Sequence, residues 1–287
     1  MLFDHLNQLS ENKPQDFDLF FPKPEKGPGI VAYIRNMYKV KRFIQNSAKP
    51  PVLSVADKKI KSKEGITAVK LISFNEKETQ QINDNALKTG SRFGPTLYLI
   101  ACCAHVINGL HKIKNKEGDL WIPVPYDGRL KGAIGPLISN CVSFLFYRIS
   151  KNELNNVGQT VKHLSSQMMN QVKDEIPKKY TMFLNMMRHV PLWLYYFLVN
   201  YTGRGVFASF LYTSTGDNFT NLHSLFGEPI RGISMIPALT FPPGLTFVFL
   251  KHGDELSLNI AYSPDIIDPG TLGDIEQELK KTLLSHH

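Results

Sequence analysis

Apolar positions along the chain switch between two periods. From Ile30 to Gln45 they recur at helical spacing, at Ile30, Ile34, Met37, Val40 and Ile44, with lysine and arginine between them, which predicts one basic amphipathic helix. Ser47-Ala48-Lys49-Pro50-Pro51 ends it, because a residue preceding proline is pushed out of the helical region. Ser54 to Gly65 is lysine-rich and lacks an apolar period, the pattern of an exposed linker, and a boundary is expected near residue 64. Before the helix, Asn12 to Gly29 is rich in proline, lysine and phenylalanine and reads as irregular.

Ile66 to Phe74 reads as a strand. Asn75, Glu76 and Glu78 then supply cap chemistry for a helix from Glu76 to Lys88, closed by Gly90. Pro95 opens a second helix to Ile113, apolar nearly all round and therefore expected between layers. Asp119 to Tyr126 and Asn140 to Ile149 read as strands, the latter so apolar that a central place in a sheet is expected. Glu153 to Glu175 and Lys178 to Tyr201 read as helices separated by Pro177.

After Gly203 the period shortens. Val206 to Tyr212, Ile230 to Ile236, Leu245 to Leu250 and Leu256 to Tyr262 are short β-rich runs, and Leu272 to Leu284 is a closing helix. No internal repeat is evident. The expected class is α/β, a mixed, mostly antiparallel sheet covered by helices.

Composition narrows the picture. The 287 residues hold 43% hydrophobic positions, enough for one large core or two modest lobes. The 3 cysteines, Cys102, Cys103 and Cys141, form neither a disulfide framework nor a metal-ligand spacing, which points to a reducing, cytoplasmic compartment. No basic region followed by an apolar run opens the chain, so a secretory signal is not read. Val190 to Val199 is about half the length of a spanning helix and carries Pro191, which leaves contact with a membrane surface as the membrane expectation. The balance of 33 Lys+Arg against 25 Asp+Glu gives +8, much of it between Lys23 and Lys63. Such a run suits a solvated face, acidic lipid or a phosphorylated cofactor; nothing resembles a nucleic-acid recognition signature, so no nucleic-acid partner is expected.

Common catalytic machinery is missing. There is no HExxH, GxSxG, GxGxxG or P-loop, and the histidines are scattered; His105, on the apolar helix, reads as a core residue. The informative pieces are short motifs in order: Met1-Leu2-Phe3-Asp4-His5, Ile122-Pro123-Val124-Pro125-Tyr126-Asp127-Gly128-Arg129, Ile138-Ser139-Asn140, Tyr212-Thr213-Ser214-Thr215-Gly216 and Phe241-Pro242-Pro243-Gly244. In that order they resemble the rear portion of the CoA-dependent acyltransferase superfamily. Its members include chloramphenicol acetyltransferase, wax ester synthases, plant alcohol acyltransferases and the condensation domains of nonribosomal peptide synthetases.

The resemblance implies a set of roles. Asp4 falls on the structural aspartate of an HxxxD motif, which puts that motif's histidine before Met1. Arg129 matches a strand-end arginine and Asn140 a strand-opening asparagine, both assigned to substrate binding, although each also suits an ordinary turn or strand start. Ser214 and Thr215 match a turn whose hydroxyls orient a thioester or stabilise an oxyanion, with a plain turn as the alternative. The implied reaction moves an acyl group from acyl-CoA or an acyl-carrier thioester to an alcohol or amine, as in lipid metabolism, with no bound cofactor. Because the motif histidine is not in the chain, a non-catalytic acyl-CoA- or lipid-binding or scaffolding module of the same fold is the alternative. The implied domains are 1–63, part of a front lobe with its linker, and 64–287, the rear acyltransferase-like lobe; Lys58, Lys59, Lys61 and Lys63 would meet donor phosphates. If a partner lobe is missing, the face of Ile66 to Phe74 is expected to be covered by another surface such as a second copy.

Overall fold

The structure is a computed structural model and describes residues 29–49, 51–56, 66–113, 115–128, 142–194, 208–215, 224–225 and 228–285. Its elements run α1 (Ile30–Ser47), β1 (Val52–Leu53), β2 (Ala68–Phe74), α2 (Glu76–Lys88), α3 (Thr96–Ile113), β3 (Asp119–Asp127) and β4 (Val142–Ile149). After a 3₁₀ turn (Lys151–Leu154) come α4 (Val157–Lys173), α5 (Ile176–Met187), β5 (Leu211–Ser214), β6 (Ser224–Leu225), β7 (Glu228–Pro229), β8 (Leu245–His252), β9 (Glu255–Tyr262) and α6 (Pro269–Leu284). This is the mixed, mostly antiparallel, helix-covered sheet that the sequence led us to expect. The expected boundary near residue 64 lies outside the described residues.

Two sheets lie side by side. One has the order β2-β9-β8-β5 and the other β1-β3-β4; only the β1–β3 and β5–β8 pairs are parallel. They meet at Ser209, which is fully buried: its N–H donates to the Trp121 carbonyl at 2.8 Å and its Oγ accepts the Trp121 N–H at 2.8 Å. Pairing between β3 and β5 stops there for a covalent reason. Odd-numbered residues of β3 turn their backbone polar groups away from β4, as Trp121 does, and at the next two such positions stand Pro123 and Pro125, which have no N–H to offer.

Helices α2, α3, α4 and α6 close one face over a single core. Along β8, Leu245, Phe247 and Phe249 point into it, as do Leu258 and Ile260 of β9 and Ile72 and Phe74 of β2. Each fully buried side chain of this size contributes about 1.5–3 kcal/mol. Helix α3 runs through the middle, with Leu97 to Ala104 all buried, as its unbroken apolar sequence required. Its Tyr98 hydroxyl donates to the Leu283 carbonyl at 2.9 Å, and Asn85 and Gln81 reach the Leu283, Leu284 and Ser285 carbonyls. The last turn of α6, whose carbonyls have no partner within the helix, is thereby satisfied by side chains of α2 and α3.

The other face is covered in two pieces. Behind β3 and β4, α1 and α5 pack on Trp121 and Phe146, which stack at 5.7 Å, while Tyr180 meets Phe146 edge-on at 5.1 Å. Arg148 fixes α1 there, donating to Asp119 at 2.8 Å and to the Ser47 and Lys49 carbonyls at 2.9 and 2.8 Å. Behind β8 and β9, residues 230–240 cross the sheet, held where the buried Asn259 donates to Ser234 Oγ and the Met235 carbonyl, both at 2.8 Å.

Four expectations change. Ile230 to Ile236 is not a strand: its groups are taken by Asn259, and Pro237 cannot donate to a ladder. Strand β4 is not central; it forms one edge, buried because α4 lies along it. The break between α4 and α5 falls at Glu175, in the left-handed region at φ 52°, and Pro177 occupies the first turn of α5, where its missing N–H is harmless. Helix α5 ends at Met187, with Pro191 soon after it, well short of Tyr201; residues 195–201 lie outside the described residues.

Candidate functional site

Strand β5 is short, and its carboxyl end carries the two described members of the expected site. Ser214 stands opposite Phe249 of β8, and the Thr215 N–H donates to the Phe249 carbonyl at 3.1 Å. Side chains alternate along a strand, so Tyr212 and Ser214 face the helices while Thr213 and Thr215 face away. Tyr212 is buried against Phe249, its ring centroid 5.8 Å away.

Tyr212 places a phenol beside the first turn of α3. Burial holds its pKa well above the usual tyrosine value and Cys103 adds to that, while the Ser214 and Thr96 hydroxyls are close enough to oppose part of the shift. The phenol therefore stays protonated and available to donate. Neither it nor the buried Thr215 hydroxyl has a hydrogen-bond partner at ordinary distance among the described residues. An unpaired buried hydroxyl costs about 1–3 kcal/mol, so an incoming acceptor would be stabilised at Tyr212 on the helix side of this strand end and, separately, at Thr215 on the other side. Thr96 opens α3, whose first free N–H groups and positive dipole end add to the same polarity.

The PPG turn leads into β8. Gly244 suits the turn because its φ is +69°, a conformation that L side chains rarely adopt; an added Cβ would also press on the end of the Ile266 side chain, 2.4 Å away. Its carbonyl accepts the Ser263 N–H at 3.0 Å, which ties the turn to the segment before α6.

The described histidines are elsewhere. His105 lies nine residues along α3 from Thr96, roughly 14 Å down the axis, with Nε2 3.0 Å from Thr160 Oγ1. It is half-buried and lines an open groove with Asn156 and Glu278 rather than sitting fully in the core. His163 pairs with Glu153 at 2.9 Å, His111 is buried near the end of α3, and His189 follows α5. His252 sits where β8 turns into β9, three residues past Phe249, about 10 Å along the strand. Burial pushes the Cys102 and Cys103 thiols upward, which leaves them poor nucleophiles. Among the described residues, no group of three His, Cys, Asp or Glu side chains could hold a metal ion.

Asp4, Arg129 and Asn140 lie outside the described residues, as do Lys58, Lys59, Lys61 and Lys63. The structure thus brings Ser214 together with two groups that the sequence did not single out, Tyr212 and Thr96, and leaves Thr215 on the other face of the strand. Tyr212 sits in the Tyr212-Thr213-Ser214-Thr215 motif, so strand alternation was a signal for it; Thr96 had none.

No family model matches the chain, and no curated protein does. Solved structures do match in fold. The first condensation domain of the calcium-dependent antibiotic synthetase, solved with a substrate analogue, superposes with a TM-score of 0.61 at 16% identity, covering 99% of this chain and 58% of that one. Trichothecene 15-O-acetyltransferase from Fusarium sporotrichioides gives a TM-score of 0.62 at 14% identity, covering 90% of this chain and 53% of that one. The epimerization domain from the third module of tyrocidine synthetase B gives 0.58 at 10%, covering 97% and 62%. The fold is the one shared by condensation domains and acyltransferases of this type, and the chain spans a little over half the length of the first two relatives.

Proposed function

We propose that this chain serves acyl transfer from a thioester, acyl-CoA or an acyl group on a carrier protein, to an alcohol or amine. The observation that supports this reading is the fold: nearly the whole chain superposes on condensation domains and an O-acetyltransferase. The hydroxyl cluster at the end of β5 gives the reading its chemistry. Attack on a thioester carbonyl builds negative charge on oxygen, and neutral donors held in a buried setting stabilise that charge more in the transition state than in the ground state. Tyr212 is such a donor, with the exposed Ser214 hydroxyl beside it on the same face, while Thr215 lies on the opposite face of the strand. A general base must still take the acceptor's proton, and on the resemblance that base is the HxxxD histidine, of which Asp4 would be the structural companion.

The test is thiol release from acyl-CoA and acyl-phosphopantetheine donors with a panel of alcohols and amines, beside calorimetry of donor binding. Acyl transfer that falls about 10²–10³-fold in Ser214→Ala, with donor affinity nearly kept, is the expected result. Donor binding without turnover under all conditions identifies the non-catalytic module of the same fold instead. Neither binding nor turnover removes both readings.

A further inference from the structure

We infer that the α1–α5 pair is a docking surface for an anionic lipid bilayer. The inference is independent of the acyl-transfer reading, since it rests on the opposite side of β3 and β4 from the helix-covered core.

The two helices touch, with the Tyr33 hydroxyl donating to the Met182 carbonyl at 2.7 Å, and between them they carry a one-sided charge. Residues 29–49 hold Arg35, Lys39, Lys41, Arg42 and Lys49 and no acidic residue. Residues 176–194 hold Lys178, Lys179 and Arg188, again with no Asp or Glu, although Glu175 just before them pairs with Lys179 at 4.0 Å and leaves Lys178 and Arg188 as the cations to count. The chain as a whole has 25 acidic residues, so 40 positions without one is a local segregation of charge, not a reflection of composition.

Cations alone would read as a solvated face. What sets this surface apart is the apolar material left in water beside them. On α1, Val31 is 78% exposed, Ile34 60% and Tyr38 65%, and their spacing of three and four residues puts them in one stripe. The inner stripe, Val40, Phe43 and Ile44, faces the sheet, so α1 is apolar on two sides and basic between them. Beyond α5, Leu192 and Trp193 are 67% and 72% exposed.

Exposed apolar side chains beside lysine and arginine suit a partner with an apolar interior beneath an acidic surface. A bilayer containing anionic lipid has that layering: the cations meet headgroups while the aliphatic side chains and Trp193 enter the acyl boundary, where tryptophan and tyrosine are favoured. Nucleic acid offers negative charge but gives the exposed leucine and isoleucine nothing to enter. No helix among the described residues is long and apolar enough to cross a membrane, so the contact is one of surface seating.

Trp193 reports on it directly. The other tryptophan, Trp121, is 7% exposed and stacked on Phe146, so a change in emission on adding vesicles is assigned to Trp193 by its loss in Trp193→Phe. The full chain is titrated with vesicles of phosphatidylcholine alone and of two parts phosphatidylcholine to one part phosphatidylserine, with co-sedimentation read in parallel. Binding and a blue shift on the anionic vesicles only are expected, lost in high salt. Each of Lys39→Gln and Arg42→Gln, both at exposed positions, lowers partitioning about fivefold, and Ile34→Ser lowers it further without altering the far-UV spectrum. Equal binding to neutral vesicles, or no binding to either, overturns the assignment. So does salt-sensitive retention on RNA or an acidic protein without any vesicle-induced shift of Trp193, an outcome that assigns the surface to that polyanion.

Discussion

The two outer edges of the sheet solve the same problem differently. Strand β4, on one side, has no further strand to pair with among the described residues, yet its outward backbone groups are used. Gln171 accepts the Phe146 N–H and donates to the Phe146 carbonyl, both at 2.8 Å, and Gln167 does the same for Arg148. Residues four apart on a helix lie one turn from each other, about 6 Å, close to the spacing of alternate residues on a strand. Two glutamines at that separation therefore imitate a neighbouring strand with side-chain amides. Strand β2, at the other side, pairs only with β9 among the described residues, and Val69 and Leu71 stand 37% and 51% exposed on its open face. One edge is sealed from within the chain; the other is left as a template for something else.

Three experiments break or sharpen that contrast. The largest effect is expected at the sealed edge, where Gln171→Leu leaves a buried N–H and a buried carbonyl of Phe146 without partners. A loss of about 2–4 kcal/mol in denaturant unfolding follows from two such groups; a loss below about 0.5 kcal/mol would mean that the glutamine seal is incidental.

At the open edge the signs reverse. Val69→Lys with Leu71→Lys removes no internal contact of note, and stability should stay within about 0.5 kcal/mol. If that face is covered by a second copy of the chain, the parent shows concentration-dependent sedimentation and the double variant does not. A parent that is strictly monomeric at all concentrations shows that the open edge is not closed by self-association.

The smallest effect concerns α6, the helix that backs β2 and meets it through Lys70 and Glu276 at 3.0 Å. Its N-cap, Asp268, accepts from the Thr271 hydroxyl and N–H at 2.6 and 3.0 Å, and those hydrogen bonds, hydroxyl first, hold its carboxyl below the usual range. A carboxylate favoured in the folded state contributes stability above its unfolded pKa and loses that contribution as pH falls through the lower folded value. The stability difference between the parent and Asp268→Ala should therefore be constant near neutrality and shrink in acid. A difference that grows in acid would reverse the assignment.

Much of this architecture could be read from the chain, and the reasons are local. Helix α2 runs from Glu76 to Lys88 as predicted, because Asn75 and Glu78 form a reciprocal cap within four residues. Helix α3 was legible from its apolar surround, and β8 and β9 from their alternation about Gly253. What misled was context. The apolar run in β4 reflects burial, and a strand is buried equally by neighbouring strands or by a helix laid along its edge. The sequence cannot say which until α4 is placed.

The site divides along the same line. Ser214 and Thr215 could be named as candidates because a short motif travels with its order in the chain; Arg129, Asn140 and Asp4 rest on motifs of the same kind and lie outside the described residues. Tyr212 and Thr96 share the strand end only because β5 lies over the start of α3, more than a hundred residues earlier.

Covalent constraints and short-range hydrogen bonds belong to the sequence alone: the proline positions that end β3–β5 pairing, the caps of α2 and α6, and the glycine that favours a positive φ at Gly244. The tertiary structure decided which backbone groups meet across distance. The Gln167–Gln171 seal, the Ser209 seam, the Arg148 clamp and the hydroxyl cluster each depend on segments separated in the chain and brought together by burial, a force without direction that no local pattern can aim.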